Sequence, residues 1–218
     1  MGTVVFDFDS TLIRCESLEE ILAPKCAARP GLEDEIRAVT AMGMEGRISF
    51  KESLARRLAL AAPSRDEVAG FGREAIDLLT PGMAQLVADL RAAGHAVKII
   101  SGGLREAIVP VALHLGLRDE DVGAVALLFH NDGGFAGIDT QDPFSDSKSA
   151  GARPLCGTWP KPVVAVGDGM TDYHLHRDGL VDHFIAYTQW ARRAPVLATG
   201  APEASGVAAL QELLEELL

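Results

Sequence analysis

The sequence predicts an α/β protein: a Rossmann-like parallel sheet core with a small helical bundle inserted after the first strand. Three observations carry this. Short apolar runs at 3–6, 96–100 and 162–166 recur between helical patterns, and strands alternating with helices build parallel sheets. Each run ends in a polar or glycine cluster: Asp7-Phe8-Asp9-Ser10-Thr11, Ser101-Gly102-Gly103, and Gly167-Asp168-Gly169. The first two runs are separated by a long stretch of helix signals.

Thr3-Val4-Val5-Phe6 is a β-branched and aromatic run, the mark of a buried strand. Three Ser-x-x-Glu boxes follow, at Ser17/Glu20, Ser49/Glu52 and Ser64/Glu67. In each, the serine hydroxyl and the glutamate can satisfy orphan N–H groups, so each marks a helix start. Pro30-Gly31 and Ala62-Pro63 separate these helices, and Val68, Phe71, Ala75 and Leu78 repeat at helical spacing. Thr80 suits an N-cap and Pro81 a first helical position. Met83, Leu86, Val87 and Leu90 then form a helix face that Gly94 ends. Ala96–Ile100 reads as a strand, and Ser101-Gly102-Gly103 as its turn into a helix from Leu104 to Leu115. Runs at 125–129 and 134–138 flank Asn131-Asp132-Gly133, a hairpin signal. Strands at 162–166 and 183–187 and an amphipathic C-terminal helix through Val207, Leu210, Leu213, Leu214 and Leu217 complete the pattern. The expected organisation is a core of 1–14 and 81–218 with a helical cap of 15–80.

Composition bounds the function. The chain has 218 residues, 48% apolar and 23% charged, which describes a globular protein. Its net charge of −11 argues against nucleic acid or an anionic membrane as partner, because phosphate backbones select clustered Lys and Arg. No feature sets an oligomeric state. Cys15, Cys26 and Cys156 form no CxxC pattern, and two aspartates arrive by position 9 in place of a signal peptide. A soluble cytoplasmic protein is the expectation.

In open α/β sheets ligands bind at the carboxyl ends of the strands, so the three strand-end clusters should converge. Asp7, Asp9 and Asp168 supply the hard oxygen ligands that Mg²⁺ prefers. Ser101, with N–H groups at the start of the next helix, can hold phosphate oxygens. Lys148, in the polar segment Ser145-Asp146-Ser147-Lys148-Ser149, adds a positive charge. A carboxylate at Asp7 could attack phosphorus, and Asp9 could protonate the leaving oxygen and then activate water. His174 and His176 share no helix face and are not expected to bind metal. Trp159 and Trp190 read as packing residues.

Asp7-Phe8-Asp9-Ser10-Thr11-Leu12 resembles the DxDxT nucleophile motif of the haloacid dehalogenase-like (HAD) phosphatases. Ile100–Gly103 resembles their second motif, Lys148 their third, and Gly167-Asp168-Gly169-Met170-Thr171-Asp172 their fourth. Glu16, nine residues after Asp7, and the segment from Met44 through Phe50 to Arg57 look like the phosphoserine phosphatases. That resemblance implies the HAD fold, a Mg²⁺ cofactor, an aspartyl-phosphate intermediate and L-phosphoserine as substrate, in serine biosynthesis. It implies that Thr11 and Gly102 join Ser101 and Lys148 on the phosphate, and that Asp172 stands behind the metal ligands. It places Glu16 on the substrate ammonium and Arg57 on its carboxylate, with Met44 and Phe50 as an apolar lid and Gly103 and Thr171 lining the site. The chain departs from the pattern at Thr171, where many members have Asn, and at Ser-Asp-Ser before Lys148, where glycines are common. The runner-up is a phosphatase or phosphotransferase for another small phosphate monoester. A receiver-type signalling module is disfavoured by the large helical insertion. An EF-hand is excluded by Leu12 and Leu18 at its glycine and closing-acid positions.

Overall fold

A computed structural model describes residues 1–44 and 47–218, with Gly43 and Met44 described as backbone alone. Strand β1 (Thr3–Phe6) runs into a tight turn through Leu12, and the chain then leaves the sheet for four helices. These are α1 (Ser17–Ala28), α2 (Leu32–Met44), α3 (Phe50–Ala61) and α4 (Arg65–Glu74). Helix α5 (Met83–Ala92), strand β2 (Ala96–Leu104) and helix α6 (Arg105–His114) return it to the sheet. Strand β3 (Val122–Val125) is followed by the hairpin of β4 (Leu127–Phe129) and β5 (Phe135–Ile138). Next come α7 (Lys148–Ala152), β6 (Val163–Gly167), α8 (Met170–Arg177) and β7 (His183–Tyr187). The chain ends with α9 (Ala194–Leu197), β8 (Glu203–Ala204) and α10 (Val207–Leu217).

The main sheet has the order β3-β2-β1-β6-β7-β8 with every pairing parallel. Side-chain alternation along each strand splits the interior in two. Val4, Phe6, Ile99, Val164 and Val166 face one cluster with α4, α5, α6 and α10. Val5, Ile100, Val163 and Ala165 face the other, with α7, α8 and α9. Both faces of the sheet are therefore covered, which is why its strands read as continuous apolar runs. Among the described residues no helix is long and apolar enough to cross a membrane.

The helical segment leaves and re-enters the sheet at one point. Ile13 bridges Leu79 antiparallel, Arg14 N–H donates to Leu78 O, and Thr80 N–H donates to Leu12 O. Its apolar face does not form a core of its own: Leu54, Leu58, Val68 and Phe71 join the same buried cluster as Phe6 and Leu104. Helix α4 lies hard against α6, with Gly72 at the contact. A Cβ there would come within 2.7 Å of the Ala107 carbonyl and 2.9 Å of Pro110 Cγ.

Several local expectations change. Ser64 and Glu67 form the complete capping box, and Ser49 caps α3. Ser17 does not cap: it is the first residue of α1, and its N–H and hydroxyl donate to Asp9. Thr80 is not an N-cap, because α5 begins only at Met83; its hydroxyl donates to Thr11 O and accepts from the Trp190 indole. Trp159 is buried, whereas Trp190 is 40% exposed. Strand β2 continues through Ser101-Gly102-Gly103 to Leu104, so those residues extend the strand before α6 begins. Val125, read as hairpin, belongs to β3 in the main sheet, since Val122–Val125 is buried on both faces and pairs with β2.

Candidate active site

The carboxyl ends of β1, β2 and β6 meet in a cleft of about 400 Å³. Asp7, Asp9, Ser101, Gly102, Gly103, Lys148, Asp168 and Thr171 line its core side, and Glu16, Phe50 and Arg57 its helical side. Of the expected site residues, Thr11 and Asp172 do not line the cleft. Met44, expected as a lid residue, has a side chain outside the described residues.

Asp7, Asp168 and Asp172 are buried and offer carboxylate oxygens that all lie within 4.8 Å of one another. Lys148 Nζ sits 2.6 Å from Asp7 and 2.6 Å from Asp172. Ser147 caps α7, so this lysine enters as the helix's first residue with a fixed direction. Burial works against its charge, but Asp172 and Asp7 outweigh it and raise its pKa, so the ammonium is held charged. Burial and the Asp7 charge push Asp172 up, against the pull of Lys148. Asp172 also accepts the Gly169 N–H. Asp168 ends β6 and accepts from Arg193 Nε at 2.6 Å. Asp7 takes the Phe8 N–H at 2.6 Å and the lysine on the same atom, Oδ1. Removing charges from water is costly unless they are paired, and this cluster meets that cost by alternating sign.

The carboxyl of Asp9, expected on the metal, is not one of the three clustered acids; it accepts from the Ser17 N–H at 2.8 Å and the Ser17 hydroxyl at 3.1 Å. The cause is the first turn of α1, whose N–H groups lack partners within the helix and attract an acid, here at the buried Ser17. Burial, then the Asp7 charge, raise the Asp9 pKa to about 7 despite the Ser17 bonds. A carboxyl so placed is suited to exchange a proton near neutrality.

Thr11 is fully buried and its hydroxyl has no hydrogen-bond partner. The tight turn after β1 directs this side chain into the interior, behind the cleft wall. Ser101 lines the cleft, and its Oγ accepts the Gly103 N–H at 3.0 Å, which fixes the oxygen and leaves the hydroxyl proton to donate. Gly102 has the Phe50 ring over it, and a Cβ there would approach Phe50 Cζ to 3.3 Å. Arg57 donates Nε to its own helix at Ser53 O, 3.3 Å away. Burial lowers its pKa, partly offset by Glu19. Glu16 Oε1 accepts from the Ser10 hydroxyl at 2.8 Å and from Arg193 at 3.2 Å.

Arg193 was missed by sequence reasoning. It ties Asp168 to Glu16 and lines the same cleft. The signal lay in its position: Arg192-Arg193 follows β7, a fourth strand ending at the same rim.

A family model described as haloacid dehalogenase-like hydrolase matches residues 4–177. The chain is 38% identical over 198 residues to the chloroplastic phosphoserine phosphatase of Arabidopsis thaliana, covering 89% of this chain and 65% of that protein. It therefore spans just under two thirds of that relative's length. It is 38% identical over 172 residues to the phosphoserine phosphatase of Homo sapiens, covering 78% and 74%. A crystal structure of a phosphoserine phosphohydrolase-like protein from Francisella tularensis superposes with a TM-score of 0.89 at 40% identity, over 98% of this chain and 99% of that one.

Proposed function

The chain belongs to the haloacid dehalogenase-like hydrolases, in the phosphoserine phosphatase family, and on that premise we propose that it is a Mg²⁺-dependent phosphatase hydrolysing O-phospho-L-serine through an aspartyl-phosphate on Asp7. The observation that carries this reading is Lys148 set between Asp7 and Asp172 beside Asp168, beneath helical residues that can meet an amino acid. Three buried carboxylates against two cations leave a local excess of negative charge. Such a hard-oxygen set fits a divalent cation, with Asp7 and Asp168 as residues to hold Mg²⁺ and Asp172, bonded to Lys148 and the Gly169 N–H, behind them. When bound, the ion supplies positive charge to the phosphate oxygens.

The chain's own residues divide the rest. Asp7 has its two donors on Oδ1, which orients the carboxylate for in-line attack on phosphorus. Asp9 gives its proton to the departing serine oxygen and then takes one from the attacking water. The Ser101 hydroxyl, its oxygen held by the Gly103 N–H, the Gly102 N–H and the Lys148 ammonium stabilise charge on the transferring group. Arg57 pairs with the substrate carboxylate. Glu16, steadied by Ser10 and Arg193, receives the ammonium. Phe50 shuts out water above Gly102. Three cysteines with no CxxC pattern and the net charge of −11 favour a cytoplasmic setting without nucleic acid or membrane partners.

The test is phosphate release from a panel of monoesters including L-phosphoserine, with Mg²⁺ or a chelator, for the wild type and Asp7→Asn. The expected result is Mg²⁺-dependent release, highest with L-phosphoserine and reduced by at least about 10³-fold in Asp7→Asn. Activity surviving Asp7→Asn overturns the mechanism. A clear preference for another monoester overturns the substrate.

A further inference from the structure

One contact joins the helical segment to the loop that delivers Lys148. Lys51 Nζ lies 2.9 Å from Asp146 Oδ1, between residues 95 apart in sequence. Lys51 is the second residue of α3, directly after Phe50, whose ring covers Gly102. Asp146 stands two residues before Lys148, the lysine paired with Asp7 and Asp172. The ion pair thus links the neighbour of the covering ring to the neighbour of the cleft lysine.

The rest of the segment is attached differently. Helix α4 is fixed to the core by the close approach at Gly72, by Arg65 N–H donating to Gly133 O at 2.9 Å, and by the Arg65 guanidinium 5.3 Å from the Phe129 ring centre. Helix α3 ends four residues before that anchor begins, at Ala62 with its φ of 45°. Leu54 and Leu58 tie the middle of α3 to the shared core, whereas its first turn, with Phe50 39% exposed and Lys51 beside it, lies outside that core. There the side chains of Lys51 and Asp146 are 32% and 60% exposed, which keeps the pair weak enough to break and re-form.

We propose that Lys51 and Asp146 form a latch that holds the N-terminal end of α3 over the cleft and sets the fraction of molecules in which the cleft is covered. Both are positioning residues: Lys51 acts through Phe50, and Asp146 through the loop of Lys148. The kinetic part of the proposal rests on the phosphatase reading; the structural part stands without it. An exposed pair of this kind shifts an equilibrium by up to about fivefold, and about 1 M salt screens it.

Hydrogen exchange across α3 and kcat/KM for L-phosphoserine with Mg²⁺ test it. The proteins are the wild type, Lys51→Gln, Asp146→Asn and the double exchange Lys51→Asp/Asp146→Lys, each at low salt and at about 1 M NaCl. The expected result is faster α3 exchange in both single variants at low salt, roughly two- to fivefold, with kcat/KM lowered in proportion. The double exchange restores both readings, and high salt removes the differences. Single variants that exchange like the wild type overturn the latch. So does a double exchange no better than either single, or faster exchange with unchanged kcat/KM. A wild type that releases phosphate from no monoester sinks the phosphatase reading, while the exchange data still decide whether the ion pair holds α3.

Discussion

The floor and the roof of the cleft are built on opposite principles. On the floor, Asp7, Lys148, Asp168 and Asp172 are buried, and each is gripped by charged partners or main-chain N–H groups. On the roof, Phe50 is 39% exposed, Arg57 bonds back to its own helix, and Lys51 holds Asp146 across solvent. Breaking a buried pair strands a charge at a cost of about 3–5 kcal/mol, whereas an exposed pair contributes about 1 kcal/mol or less. The floor therefore keeps its geometry before substrate arrives, as charge stabilisation requires. The polar contacts of the roof are weaker by the same measure.

Four substitutions break or sharpen this contrast, from the largest effect down. Asp9→Asn should lower kcat/KM for L-phosphoserine by about 10²–10⁴-fold. An aryl phosphate should lose much less, because its leaving group departs without a proton. Equal losses on both substrates would mean that Asp9 serves to hold Ser17 and α1, making it part of the scaffold. Lys148→Met should cost about 10²–10³-fold in kcat. It should also remove about 3–5 kcal/mol of stability in chelator, since Asp7 and Asp172 then face each other unpaired. Added Mg²⁺ should return part of that loss, measured by denaturant titration with and without the ion. A variant as stable as wild type in chelator would show that the floor is not held by charge.

Arg57→Ala, a change in the roof, should raise KM for L-phosphoserine by about 10- to 100-fold and leave an aryl phosphate little changed. Comparable losses on both would place Arg57 with the floor. The smallest effect belongs to Glu67→Gln in α4. Burial pushes the Glu67 carboxyl up, but the Ser64 N–H and Lys25 outweigh it and hold the pKa below its ordinary value. A depressed carboxyl stabilises the fold at neutral pH, and that contribution fades as pH falls through its folded pKa. The variant should be less stable by under about 1 kcal/mol at pH 7 and should match wild type in acid, read from melts across pH.

Much of the fold was legible because it is written in local pattern. Thr3–Phe6 and Pro162–Val166 read as buried strands from composition, and strands lie at Thr3–Phe6 and Val163–Gly167. The helix faces at Met83, Leu86, Val87 and Leu90, and at Leu210 and Leu214, are buried as their spacing requires. The positions of Asp7 and Asp168 just past their strands were equally readable, because a parallel sheet sends such ends to one rim. Where two local solutions compete, pattern was less informative. Val122–Val125 is too short and too uniformly apolar to distinguish a sheet strand from one arm of a hairpin. Ser17 satisfies the capping pattern, yet a carboxylate eight residues away took the N–H instead.

Sequence alone determined which residue types stand at the strand ends, and so the class of chemistry the cleft can support. Periodicity and motif spacing are properties of neighbouring residues, and they survive without knowledge of the fold. Tertiary structure decided how those charges are shared. It turned Asp9 toward α1, set Asp172 with Asp7 and Asp168, and buried Thr11. It joined Arg193 to Asp168 across 25 residues and to Glu16 across 177. Pairing depends on distance through space and on access to water. Both are fixed only when the sheet brings remote strand ends together and the helices close over them.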